Sequence, residues 1–354
     1  MGLFGRQDWQ SIALRWLAVA AQAGTFLITR HLWEVRHYPP APPMLPAFGL
    51  PVEGFPQFNV LPLLLASLVL VLFFPRWGVI AHIVSLALAM LLDQTRMQPW
   101  CISFALLMVA SLDSPGASSV GRAHLVAIWF YAGLHKLLSP GYFHKVVPFL
   151  LAGLFEKPNP TLFALLGGAA ALIEISLALL TLVPRARRWA AALACVMHLT
   201  IALWLALRLG WNADVWPWNI VLGLAALLLI WPWRTTLGED WRSCSRAARG
   251  AVLLILTSPL GFYFGLVDGY LAHCLYTGNT PEARIVLPDG AEVNIGAVGS
   301  FLNAPMPPAV RLYEEYFRQV GLPGELLVID DPRWWARVRG QEHREIYKPP
   351  DRSK

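Results

Sequence analysis

Leu162-Phe-Ala-Leu-Leu-Gly-Gly-Ala-Ala-Ala-Leu-Ile-Glu174-Ile-Ser-Leu-Ala-Leu-Leu-Thr-Leu182 carries one charge in 21 residues. A bilayer's hydrocarbon core is about 30 Å thick and takes about 20 helical residues to cross. The stretch therefore reads as a membrane-crossing helix. Eight more apolar runs accompany it, near 10–29, 58–74, 77–92, 98–112, 122–139, 187–208, 214–232 and 250–267. The expected fold is an all-α polytopic membrane helix bundle of about nine transmembrane helices over residues 1–267. The third and fourth runs are expected to be short, tilted or partly re-entrant.

Composition agrees. Of the 354 residues 56% are hydrophobic and 14% charged, and the mean hydropathy is +0.50. Soluble domains sit near 45–50% apolar and about 25% charged. The 16 tryptophans fit a membrane protein too, since Trp concentrates at the membrane–water interface. A net charge of +6 is better explained by basic loops than by nucleic acid, and no nucleic-acid partner is expected. Cys101, Cys195, Cys244 and Cys274 are scattered without a C-x-x-C pair, which argues against thiol exchange.

Basic residues set an orientation. Loops on the N-terminal side hold ten Arg (6, 76, 122, 185, 187, 188, 234, 242, 246 and 249), and the opposite loops hold six Lys or Arg (30, 36, 96, 145, 157 and 208). Lys and Arg favour the cytoplasmic side. The N-terminus is then expected in the cytoplasm and the C-terminal segment outside. The first run carries Arg15 and Gln22 and lacks a small-residue cleavage site, so it does not read as a cleavable signal.

Residues 268–354 read as a small α+β cap with a loose tail. Ala283–Leu287 and Ala291–Ile295 are strand candidates around Pro288-Asp-Gly. Pro307–Val320 has helical periodicity, and Leu326–Ile329 is a third strand candidate. The first external loop, with Pro39, Pro40, Pro42, Pro43, Pro46, Pro51 and Pro56, is stiff and apolar and is expected to lie over the bundle's outer face. No internal repeat of the kind transporters use is evident.

Ionisable groups inside a membrane are costly and therefore informative. In the fifth run, His124, Ile128, Tyr131 and His135 share one helical face, while Trp129, Ala132, Gly133 and Lys136 form the neighbouring stripe. Lys136 is either a snorkelling lysine or a base held in an apolar pocket. Glu174 must be protonated or paired, with Lys136 or Arg208 as partner if the bundle brings them together. His198, in the middle of the seventh run, reads as hydrogen-bonded packing or as part of a site. No H-x-x-x-H or H-E-x-x-H spacing points to a metal. The outer edge adds Asp93 with Arg96, and an aromatic turn with Trp211, Trp216 and Trp218.

Trp129-Phe-Tyr-Ala-Gly133-Leu-His-Lys136-Leu resembles the F-Y-x-A-G-x-x-K-L helix of the vitamin K-dependent γ-carboxylase family and its bacterial relatives, the horizontally transferred transmembrane (HTTM) proteins. Met197-His198, then Leu209-Gly210, then Trp216-Pro217-Trp218, is similar to that family's His helix and the turn after it. The Asp93-Gln-Thr-Arg-Met-Gln-Pro-Trp turn also resembles bacterial members. The resemblance implies an external reaction site in which Lys136 is the base acting on a reduced, vitamin K-like quinone. His135, His198 and Glu174 would accompany it in catalysis, and Tyr131, Trp129, Trp216 and Trp218 would line the quinone site. Glu174 has no strict family counterpart. The short C-terminal segment makes carboxylation of a propeptide-bearing substrate an unlikely activity.

Two other classes compete. A non-catalytic membrane scaffold, or a lipid- or partner-binding protein, would use the Trp-rich turns, the Pro-rich loop and the cap as surface. A DoxX-like oxidoreductase shares a G-x-x-K helix and a mid-membrane Glu, but usually has four helices and redox cysteines. The bilayer itself, a quinone or other small molecule, and a membrane partner are the expected contacts, with a bacterial inner membrane as the expected location.

Overall fold

The computed structural model describes residues 9–44, 58–152, 154–155, 159–209 and 212–348. The Pro-rich loop beyond Met44, Lys157 and Trp211 lie outside them. The chain is mainly helical. The principal helices are α1 (Trp9–Ile28), α2 (Leu61–Phe73), α3 (Pro75–Leu92), α4 (Pro99–Ala110), α5 (Ala117–Leu137), α6 (Pro160–Leu182), α7 (Arg187–Trp204) and α8 (Val215–Leu229). The short α9 (Leu237–Ser243) and α10 (Arg246–Thr257) follow, and tighter turns extend α10 through Phe264.

A helix lies on each of the nine apolar runs. Five helical stretches are long and apolar enough to cross a membrane: Trp9–Ile28, Pro75–Leu92, Pro160–Leu182, Arg187–Arg208 and Arg246–Phe264. The third run is among them at 18 residues, so the expectation that it would be short is corrected. Pro75 starts that helix ahead of the apolar stretch, where a missing N–H carries no penalty. The second run is the short one instead. It forms 13 helical residues, about 20 Å of rise, and ends at the Phe74–Pro75 junction. The fourth run is short as expected, at 12 residues. α6 and α7 leave Leu165, Leu172, Leu179, Val196 and Leu203 exposed, an arrangement that suits contact with lipid rather than water.

α5 is the bundle's centre. It packs on α4, α6, α8 and α10, and this is why both of its stripes are buried. Gly133 permits the α6 contact. A Cβ there would lie 2.5 Å from the carbonyl oxygen of Ala171 and 3.1 Å from Cβ of Glu174.

The C-terminal segment forms a four-stranded antiparallel sheet in the order β2-β1-β3-β4, with β1 Glu282–Val286, β2 Glu292–Asn294, β3 Leu326–Asp330 and β4 His343–Tyr347. α11 (Val310–Val320) buries Leu312, Tyr313, Tyr316 and Phe317 against Ala283, Ile285, Leu327 and Ile329. The tail expected to be loose is ordered through Lys348. Its β4 pairs residue for residue with β3, from Leu326 opposite Tyr347 to Asp330 opposite His343. Sequence alone misses β4 because four of its five residues are exposed, so no apolar alternation marks it.

The cap sits on one end of the bundle. Gln98 Nε2 donates to Pro305 O at 2.9 Å, Asn303 Nδ2 donates to Ile28 O at 3.2 Å, and Arg311 Nη2 donates to the sulfur of Met97 at 3.3 Å. The described part of the Pro-rich loop is stitched to the same end. Arg36 Nε donates to Pro39 O, Gln94 N donates to Pro42 O, and Asp93 pairs with Arg36 at 2.7 Å and with Arg96 at 3.4 Å.

Candidate functional site

Close α5–α6 packing at Gly133 brings two buried charges together. Lys136 Nζ lies 2.5 and 2.6 Å from the two carboxylate oxygens of Glu174. Both residues are buried, Lys136 at 8% and Glu174 at 9% exposure. An ammonium has three N–H donors, and two of them are directed at Glu174.

Beside this pair a chain of hydrogen bonds crosses three helices. The indole N–H of Trp129 donates to Nε2 of His198 at 2.9 Å. Nδ1 of His198 lies 2.9 Å from Oδ1 of Asn219, and Asn219 Nδ2 donates to Val215 O at 2.9 Å. An indole N–H can only donate, so Nε2 of His198 is the acceptor and Nδ1 carries the ring proton. Both imidazole nitrogens are thereby engaged.

These groups line one cavity of about 70 Å³. Trp129 and Lys136 enter it from α5, Glu174 from α6, His198 from α7, and Trp218 and Asn219 from α8. Tyr276, whose hydroxyl accepts from Asn212 at 2.6 Å, comes from the segment after α10. Trp218 is 97% buried, at 3% exposure, and its indole nitrogen has no hydrogen-bond partner. The residues around the cavity thus include an unused donor and an ion pair.

Lys136, Glu174, His198, Trp129 and Trp218, all singled out from the sequence, meet here. His135, Tyr131 and Trp216 do not line this cavity. His135 belongs to the neighbouring stripe of α5, where Nδ1 lies 2.7 Å from the Tyr263 hydroxyl and Nε2 lies 2.9 Å from Ala272 O. A carbonyl can only accept, so Nε2 carries the proton and Tyr263 donates to Nδ1. Tyr131 donates to Leu256 O at 2.6 Å. Trp216 is half-buried against the core.

Sequence reading passed over Asn219 and Tyr276. Asn219 had a signal, an amide one turn into an apolar helix. Tyr276 had none, because a turn residue is placed only by the cap's docking. Among the described residues, no group of three His, Cys, Asp or Glu is placed to hold a metal. The four cysteines are free and buried.

Comparison with protein-family models, curated proteins and solved structures gives no match.

Proposed function

We propose that this chain is an integral membrane enzyme of the γ-carboxylase/HTTM kind, in which Lys136 is a membrane-embedded base for a hydroxyl-bearing substrate of the reduced-quinone class. The observation that carries the proposal is the Lys136–Glu174 pair at 2.5 Å beside a cavity with an unused Trp218 donor. A charged pair is expensive to bury, and a hydrophobic pair of equal volume is often as stable or more so. Its presence at a cavity therefore favours a task over mere packing.

The residues suit an oxygen-bearing edge. Trp218 would donate to the oxygen, and Lys136 would take its proton after passing one of its own to Glu174. His198 has no free nitrogen and acts as a positioning residue that holds Trp129 and Asn219. A reduced quinone would supply an acidic hydroxyl and two electrons, with dioxygen as the acceptor of those electrons. The cavity is smaller than the roughly 150 Å³ that admits benzene, so a hydroxyl edge fits it and a whole ring does not.

The same reading has the chain cross a bacterial inner membrane nine times, with its N-terminus in the cytoplasm and its cap outside. The arginine-rich helix ends opposite the cap support that orientation. Short α2, α4 and α8 would cross where the bundle shields their ends.

Native mass spectrometry of the protein purified in mild detergent tests the proposal. Bound quinone without a stoichiometric partner supports the enzyme. A stoichiometric membrane partner with no quinone supports the scaffold alternative and overturns this reading. Thiol-dependent quinone reduction would support the DoxX-like alternative.

A further inference from the structure

At the bundle end opposite the cap, α5, α6, α9 and α10 enclose a second cavity of about 440 Å³. Ala123, Val126, Leu182, Val252, Leu253 and Leu256 give it apolar walls. That volume is in the range of small-molecule and cofactor sites, about 300–1,000 Å³. α10 buries none of its residues fully, and Leu253 is 52% exposed. The outer wall of the cavity is therefore a partly exposed apolar helix.

Its polar rim is positive. Trp233 and Trp241 line the cavity, and three arginines lie against these rings. Arg187 is 3.5 Å and Arg122 4.9 Å from the Trp233 centroid, and Arg249 is 5.6 Å from that of Trp241. Asp240 is the acidic lining residue, and it is already engaged by Arg122 at 2.5 Å and by the Thr235 hydroxyl. Arg187 is fully buried. Its Nε and Nη1 bond Thr181 O, Trp233 O and Thr235 O, yet Nη2 has no partner. A buried guanidinium donor without an acceptor is costly, but Arg187 stands behind Trp233 and is not itself a lining residue of the cavity.

We infer that this cavity is a binding site for one anionic glycerophospholipid, with an acyl chain between α5 and α10 and the phosphate at the end where Arg122, Arg187 and Arg249 gather around Trp233 and Trp241. Basic pockets between membrane helices select anionic headgroups. The apolar walls account for the chain, and the positive charge of the arginines grouped around Trp233 and Trp241 accounts for the headgroup. This site is at the far end of α5 from Lys136, and its occupancy is independent of any chemistry there.

The test is retention of defined lipids by delipidated protein in native mass spectrometry, comparing phosphatidylglycerol with phosphatidylcholine of identical chains. Wild type is expected to retain phosphatidylglycerol about tenfold better. Val126→Trp, which fills the cavity, abolishes that retention, and Arg249→Gln narrows the preference. Equal retention of the two lipids by wild type, or full retention by Val126→Trp, overturns the site. If Val126→Trp does not fold, phosphatidylglycerol with a diazirine in its acyl chain gives the same reading on wild type. Label confined to residues 119–126 and 237–256 supports the site, and label spread over the other helices contradicts it.

Discussion

Trp129 and His198 are joined by one hydrogen bond of 2.9 Å that fixes a tautomer. The indole has only a proton to give, so the imidazole beside it must accept at Nε2 and donate at Nδ1 to Asn219. Trp129→Phe keeps the ring and removes the donor. It should cost about 1–3 kcal/mol, the usual penalty for an unsatisfied buried acceptor. Thermal unfolding in detergent reads the loss, and nitrogen chemical shifts of His198 should show its tautomers mixing. Unchanged shifts would mean that Asn219 alone holds the ring.

Lys136 and Glu174 stabilise the bundle only as a pair. Replacing Lys136 by Met strands a buried carboxylate, and Glu174→Leu strands the ammonium. Each single change should destabilise by about 3–5 kcal/mol, while the double variant should recover most of the loss. A double variant that loses the sum of the two single losses would show that the two groups are not coupled.

Gly133 sets the separation of α5 and α6. A methyl at this position would press on Ala171 O at 2.5 Å. Gly133→Ala should therefore push the helices apart, at about 1–3 kcal/mol for overpacking. A crosslink between cysteines placed on facing positions of α5 and α6 should slow in this variant. An unchanged crosslinking rate would place the give elsewhere.

The cap has its own pH dependence. Hydrogen bonds donated to Asp330 and then to Glu345 raise the pKa of His343 above its ordinary 6.5. A raised histidine contributes stability that is complete below about 6.5 and is lost as pH rises through the folded value. Amide protection across Ile329–Arg344 should therefore weaken between mildly acidic and alkaline pH. His343→Gln should flatten the profile, and protection that increases with pH would contradict this account.

Much of the bundle was legible because lipid imposes a crude code. Apolar runs give helices, and Leu162–Leu182 needed nothing more. Helix ends were less legible, since Pro75 lengthened one run and truncated its neighbour. On the central helix, spacing separated the Lys136 stripe from the His135 stripe correctly. Spacing alone gave no sign of which stripe α6 and α7 would meet, and His135 went to Tyr263 instead. The edge strand His343–Tyr347 escaped because its partner β3, rather than its own pattern, determines it.

The account depends on Lys136 acting as a base. Its most direct test is consumption of reduced quinone by membranes containing wild type, Lys136→Ala or Lys136→Arg. The two variants should first be shown to fold by unfolding temperature and by amide protection of α5. Consumption by wild type that disappears in both variants is the expected result. Consumption that persists in folded Lys136→Ala would contradict it and leave the Lys136–Glu174 pair a structural one.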